Sequence, residues 1–219
     1  MDVKCHLFRK DGAQTAQATI ITDPNGHQFT AWYPGPEPTA LEWSQLITRE
    51  LQQQATDCFI QAPLRSDLMQ SGVAVAQGAG IAVIWCPGQF ADQLSAHEIE
   101  DTLEHTQVVV GNSHELSFLR NLASLENKIV IETQGADPVK FATHGHTGEV
   151  LVPYVEAIDP TGCGDAFLGG VAHVLANQTA DWASLTPTNL EHAIEYGIKL
   201  AHLCIKEIGC QSHKVTHMS

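Results

Sequence analysis

For most of the chain, short apolar clusters alternate with longer stretches of helical spacing. Cys58 to Ile60, Ile81 to Trp85, Gln107 to Val110 and Lys128 to Ile131 are runs of strand length. Between them, Ser66 to Gln77, the segment after Ser95 and Ser113 to Leu122 carry apolar residues at helical intervals. Apolar runs without strict alternation, set between amphipathic helices, predict a parallel sheet covered on both faces. Ahead of this pattern, Thr15 to Thr22 and Gln28 to Tyr33 are β-prone runs joined by Asp23, Pro24, Asn25 and Gly26, which is hairpin chemistry. The Pro34 to Pro38 cluster ends that hairpin. Thr39 with Glu42 has capping-box spacing and opens a helix to about Gln54. A second hairpin pairs Lys140 to Thr143 with Glu149 to Val152 across His144 to Gly148. Helices then cover Cys163 to Ala176 and Asn189 to Glu207, the latter capped by Thr188 and Glu191 and ended by Gly209. The fold expectation is α/β with a mainly parallel core and an appended hairpin.

Composition narrows the function. The 219 residues suit one large domain. Eleven basic against 25 acidic residues leave a net charge of −14. That balance argues against nucleic-acid backbones and against anionic membranes as partners. Cys5, Cys58, Cys86, Cys163, Cys204 and Cys210 are scattered, without a CxxC pair, as in a reduced cytoplasmic protein. No apolar run is long enough to span a bilayer, and the first residues lack the apolar core of a signal peptide.

The segment Ile158 to Phe167 carries the chemistry. Gly162 and Gly164 flank a small residue just before an apolar helix, and Asp165 falls in that helix's first turn. Glycines let backbone amides approach a ligand, and a helix N-terminus adds roughly half a positive charge. An anion hole beside a carboxylate suits phosphoryl transfer to a hydroxyl: donors for the moving group, an acceptor for the proton. A bare GxGD is otherwise a tight turn with an acid favouring the dipole.

The surroundings add to it. Asp159 to Phe167, with Gly170 following, resembles the second signature of the PfkB (ribokinase-like) family of carbohydrate and nucleoside kinases. Asn112 to Glu115 matches that family's NxxE element, and Thr133 to Gly135 the start of its TxG nucleotide loop. The Pro87 to Gln89 turn and the closing Gly209 to His213 look most like bacterial adenosine-kinase-like members. The resemblance implies a ribokinase-like fold with residues 1–36 as a partial lid and 37–219 as a kinase core with an ATP-binding C-terminal half. It implies Asp165 as catalytic base, the amides of Gly162, Cys163 and Gly164 as anion hole, and Thr133 and Gly135 lining ATP. Asn112 and Glu115 would hold Mg²⁺ through water, although they are equally a capping box. Pro138 stands where many members carry a second glycine. The implied cofactors are ATP and Mg²⁺, with room for a monovalent cation such as K⁺.

Members usually begin with a further segment carrying the first core strand, a Gly-Gly signature and the residues that grip the acceptor. Nothing in Met1 to Thr15 resembles it. The expected sheet therefore lacks central strands and leaves apolar surface for a partner. Two readings stay open: a kinase acting on a nucleoside (adenosine favoured) or a sugar, and an inactive truncated homologue that binds nucleotide or a partner chain. A homo-oligomer or a complementing chain fits either. His144 and His146 read as a solvated turn, Cys163 as a small residue without chemistry, and Trp32 and Tyr33 as ordinary hairpin packing.

Overall fold

The computed structural model describes residues 9–23, 28–53, 57–178 and 182–210. The first hairpin forms as expected, from β1 (Gln17–Thr22) and β2 (Gln28–Tyr33), antiparallel with Ala18 opposite Trp32 and Ile20 opposite Thr30. Its turn at Pro24 to Gly26 lies outside the described residues, as do Cys5 and the closing Gln211 to His213. Helix α1 (Ala40–Gln53) follows, with the Glu42 carboxylate accepting from the Thr39 amide at 2.8 Å and the Thr39 hydroxyl accepting in return from the Glu42 amide.

A six-stranded sheet forms the core, in the order β3 (Cys58–Gln61), β4 (Ala82–Trp85), β5 (Val108–Asn112), β6 (Ile129–Gln134), β7 (Asp137–Thr143) and β8 (His146–Val150). The first four are parallel, and β7 and β8 join antiparallel. Successive side chains point to opposite faces, so both sets must be apolar where helices cover both sides. Trp85, Val109 and Val130 pack on one side among Met69, Ile99, Leu116 and Leu119. Those four come from α2 (Ser66–Gly78), α3 (Ala96–Glu104) and α4 (Ser113–Leu122). Ile84, Val108, Val110, Ile129 and Ile131 face the other way, toward α5 (Cys163–Gln178) and α6 (Pro187–Cys204). Burial of these side chains, worth roughly 1.5–3 kcal/mol each, fixes the register, because a one-residue slip would exchange the two faces.

Helices α5 and α6 meet at glycine. A Cβ on Gly170 would lie 2.8 Å from the Gly197 Cα, and one on Gly197 would lie 2.8 Å from the Phe167 carbonyl oxygen. The two backbones are therefore in direct contact, and this crossing sets where α5 begins.

Two expectations are corrected. Helix α6 is capped by Thr186 with Asn189, not by Thr188 with Glu191, and ends at Cys204 before Gly209. Pro187 occupies its first turn, where a missing N–H costs nothing and the fixed φ suits a helix. The second hairpin is longer and tighter than its apolar pattern suggests. Its turn is His144 and Gly145 alone, with φ of 45° and 80°, and β7 starts back at Asp137. Positive φ at both positions matches strand twist in a two-residue turn, and His146 is thereby the first residue of β8. Both histidines are exposed. Outside β3 no further strand pairs among the described residues, and Ile60 there is 38% exposed. No helix is long and apolar enough to cross a membrane.

Candidate active site

Parallel strands place ligand sites beyond their carboxyl ends, where the connecting loops gather. Here a cleft of about 470 Å³ opens in that place. Pro63 follows β3, Cys86 and Gly88 follow β4, Gly111 and Asn112 end β5, and Thr133 lies near the end of β6. The start of α5 closes it from the other sheet face with Gly162, Gly164 and Asp165. The hairpin forms the outer wall through Ala18, Ile20, Thr30 and Trp32. Residues far apart in sequence thus share one space: the glycine loop, the Asn112–Glu115 pair and Thr133.

Helix α5 begins directly after a left-handed turn at Gly162, φ 80°. Gly162 accepts the first helical hydrogen bond, from the Ala166 amide at 2.9 Å, and the Cys163 amide donates to the Pro160 carbonyl at 3.1 Å. The Cys163 amide is therefore engaged within the loop, and the Gly164 and Asp165 amides follow it in the first turn, which leaves helix donors unpaired. A Cβ on Gly164 would meet nothing within 4 Å, so that side of the loop is open. Asp165 is exposed in the cleft.

Behind the loop, Asp159 works as a tie. Its Oδ1 accepts from the Thr161 amide at 2.9 Å and its Oδ2 from the Gly209 amide at 2.9 Å. Hydrogen bonding from the Thr161 side chain, then from the Gly209 and Thr161 amides, holds this carboxyl below its ordinary pKa. The Cys163 thiol is pushed up to about 12, first by burial and then by Cys204 and Asp159. The helix N-terminus does not make it a thiolate. It remains a small neutral side chain.

Asn112 and Glu115 form a complete capping box on α4. Glu115 Oε2 accepts from the Asn112 amide at 3.0 Å, Oε1 from Asn112 Nδ2 at 2.8 Å, and Asn112 Oδ1 from the Glu115 amide at 2.9 Å. Burial raises the Glu115 pKa despite the Asn112 bond. Cys86, which lines the same cleft as Glu115 and Asp165, is pushed up to about 12 by burial first and then by the charges of those two residues. Both carboxyl groups line this one cleft. A cation there is favoured.

Gly135 turns the β6–β7 hairpin with φ 65° and is not among the cleft walls, whereas Thr133 is. Trp32, expected to pack within its hairpin, is 54% exposed on the cleft face, and Tyr33 is 48% exposed on the opposite face. Cys86, Pro63 and Phe90 are cleft residues that sequence reasoning passed over. Their signal was position: each lies just beyond the end of a predicted parallel strand. Among the described residues no group of three or more His, Cys, Asp or Glu is arranged to hold a metal ion by itself.

A family model described as pfkB family carbohydrate kinase matches residues 2–217. A nucleoside kinase of Methanocaldococcus jannaschii is 24% identical over 221 residues, covering 96% of this chain and 67% of its own length. The solved Burkholderia thailandensis nucleoside kinase in complex with inosine superposes with a TM-score of 0.74 at 24% identity, covering 92% of this chain and 66% of that one. A fructokinase from Xylella fastidiosa with bound ATP superposes with a TM-score of 0.72 at 21% identity, covering 92% and 70%. The chain spans about half to two thirds of the length of the first relatives it matches.

Proposed function

The chain belongs to the pfkB family of carbohydrate kinases, and we propose that it is an ATP-dependent phosphotransferase acting on a primary hydroxyl of a nucleoside, adenosine favoured, or of a sugar. One observation carries this reading. Asp165 and the start of α5 share a cleft with the Asn112–Glu115 pair and with Thr133.

In this proposal Asp165 accepts the proton of the acceptor hydroxyl as its oxygen attacks. The amides of Gly162 and Gly164, on either side of Cys163, donate to the transferring group, with the helix dipole adding to their field; the Cys163 amide is held by the Pro160 carbonyl. Bound ATP supplies the phosphoryl group, and Mg²⁺ offsets the charge of its phosphates. The donor set fits a hydrated ion: one carboxylate and one amide suit Mg²⁺ that keeps its waters and takes phosphate oxygens. Asn112 and Glu115 would hold those waters while still capping α4. Thr133 would line the nucleotide, with Gly135 shaping the turn behind it. The hairpin would act as the lid of residues 1–36, excluding water over the 37–219 core. Trp32 and Phe90 give the cleft two aromatic walls, and this favours a planar base over a bare sugar.

A nucleotide-binding chain without transfer activity of its own is the second reading. The outer edge of β3, unpaired among the described residues, favours it, since that edge admits a strand from another chain. Transfer from labelled ATP to adenosine, inosine and fructose separates the two, run with the unaltered chain and with Asp165→Asn. The first reading expects transfer to a nucleoside, reduced roughly 10²–10⁴-fold in the variant, with ATP affinity kept. ATP binding without transfer to any acceptor supports the second. Near-normal transfer in the variant removes Asp165 as the base.

A further inference from the structure

Behind the glycine loop, on the side away from the cleft, three cysteines gather. Cys163 is the first residue of α5, Cys204 the last of α6, and Cys210 follows the turn after α6. The buried Cys204 thiol donates to the Thr161 carbonyl at 3.4 Å and lies 3.9 Å from the Cys210 carbonyl oxygen. Cys210 packs on Gly162: a Cβ on that glycine would fall inside contact distance of the Cys210 Cβ, 3.0 Å from its Cα and 3.7 Å from the Cys204 Sγ. Two cysteine side chains thus converge on the one loop residue with a left-handed backbone. Cys210 is exposed, so a dissolved oxidant reaches it first.

We propose that Cys204 and Cys210 are a thiol–disulfide modification site that ties the state of the glycine loop to low-molecular-weight disulfides. The inference holds whether or not the loop binds phosphate. The step balances. A Cys210 thiolate attacks one sulfur of oxidised glutathione, the S–S bond breaks, and one glutathione thiolate leaves. A Cys204 thiolate, its proton passed to solvent, attacks the Cys210 Sγ and expels the second glutathione. Two protein thiols are oxidised and one glutathione disulfide is reduced to two thiols. Burial keeps Cys204 protonated most of the time, and this makes the second displacement the slow one.

The oxidised form has no Cys204 S–H to donate to Thr161, and Cys210 must leave its seat on Gly162. The new ring is short and local to the end of α6, so it restrains that turn and not the loop. The test is overnight incubation of the chain with excess oxidised glutathione, then peptide mapping and amide exchange, each repeated after dithiothreitol. Expected are a Cys204–Cys210 cross-link and exchange across residues 159–165 accelerated about tenfold, the size expected from losing one hydrogen bond, both reversed by reduction. Cys210→Ser abolishes both changes, and Cys58→Ser leaves both. A stable glutathione adduct on Cys210 with Cys204 still free overturns the proposal. So does a cross-link that maps to Cys163, or a Cys204–Cys210 disulfide with unchanged exchange.

Discussion

Gly162 and Gly164 stand two residues apart and are expected to fail in opposite ways when each is replaced by alanine. At Gly162 the φ of 80° is strained for any residue with a Cβ, at about 1–2 kcal/mol. The new methyl would also fall inside contact distance of Cys210, against backbone as well as side chain, and such overpacking costs about 1–3 kcal/mol. Together these give a loss of about 2–5 kcal/mol, a large part of the roughly 5–15 kcal/mol that holds a domain folded. With a urea slope of about 2 kcal/mol per molar, the unfolding midpoint drops by about 1–2.5 M. At Gly164 the backbone is helical and nothing lies within 4 Å of the added carbon. Stability there stays within about 0.5 kcal/mol, while the methyl intrudes on the amides that face the cleft. ATP affinity then falls by about tenfold or more, as when a charged hydrogen bond is lost. Urea unfolding and calorimetry on both variants decide the matter. Equal stability losses at the two positions, or a Gly162→Ala midpoint unchanged from the parent, would refute the division of labour.

Three further outcomes follow from the same geometry. Glu115→Gln should leave the fold intact but raise the Mg²⁺ concentration needed for half-maximal transfer about tenfold; a stability loss of about 1 kcal/mol with unaltered Mg²⁺ dependence would leave the pair as a helix cap alone. Asp159 has its folded pKa held below the unfolded one, so its tie contributes above the ordinary carboxylate range and is lost as pH falls through the folded value. The protection of the Gly209 amide, measured against its intrinsic exchange rate at each pH, should therefore fall on acidification in the unaltered chain, while in Asp159→Asn it is low at every pH. Gly148→Ala should disturb the far end of the sheet, since the new methyl would fall on the Phe141 ring, 2.7 Å from Cε1; an overpacking loss of about 1–3 kcal/mol in urea, with ATP affinity unchanged, separates this defect from the site.

Where the sequence was legible, one force dominated each segment. Val108 to Val110 and Ile129 to Ile131 are apolar on consecutive positions because both sheet faces are covered, and that leaves no other reading than a buried strand. The Thr39–Glu42 and Asn112–Glu115 boxes were legible because a cap is a contact between near neighbours in the chain. Helix α6 was misread for the same reason that it can be explained: Thr186 and Thr188 both offer a hydroxyl, and only the placement of Pro187 in the first turn selects the former. The start of β7 was hidden because Asp137 and Pro138 are poor strand formers, and they sit beside the Gly135–Ala136 turn and a register shift near Gln134. The site's chemistry lay in local motifs and could be named. Its walls could not, because Trp32, Pro63 and Cys86 meet only once four strands are in order.

The loop's construction argues for binding from its own asymmetry. Several strong restraints on residues 158–163 come from residues outside the cleft walls. The Ile158 and Asp159 amides donate to the Ile205 carbonyl at 2.9 and 3.2 Å, Asp159 spans Thr161 and Gly209, and Cys204 meets the Thr161 carbonyl. The Gly170–Gly197 contact fixes α5 along its length. In front, Gly164 carries no side chain and Asp165 stays in solvent, facing the cleft. A turn that served only to start a helix would gain nothing from a left-handed backbone that only glycine adopts freely at 162 and a buried thiol at its back; a helix can be opened by a serine or threonine cap, as α3 and α6 are. A backbone fixed by many local bonds, with donors left open on one side, is what a preorganised anion site requires. It also explains why Cys163 is small, neutral and half-buried: its place in the loop is occupied by packing, and the chemistry falls to its neighbours.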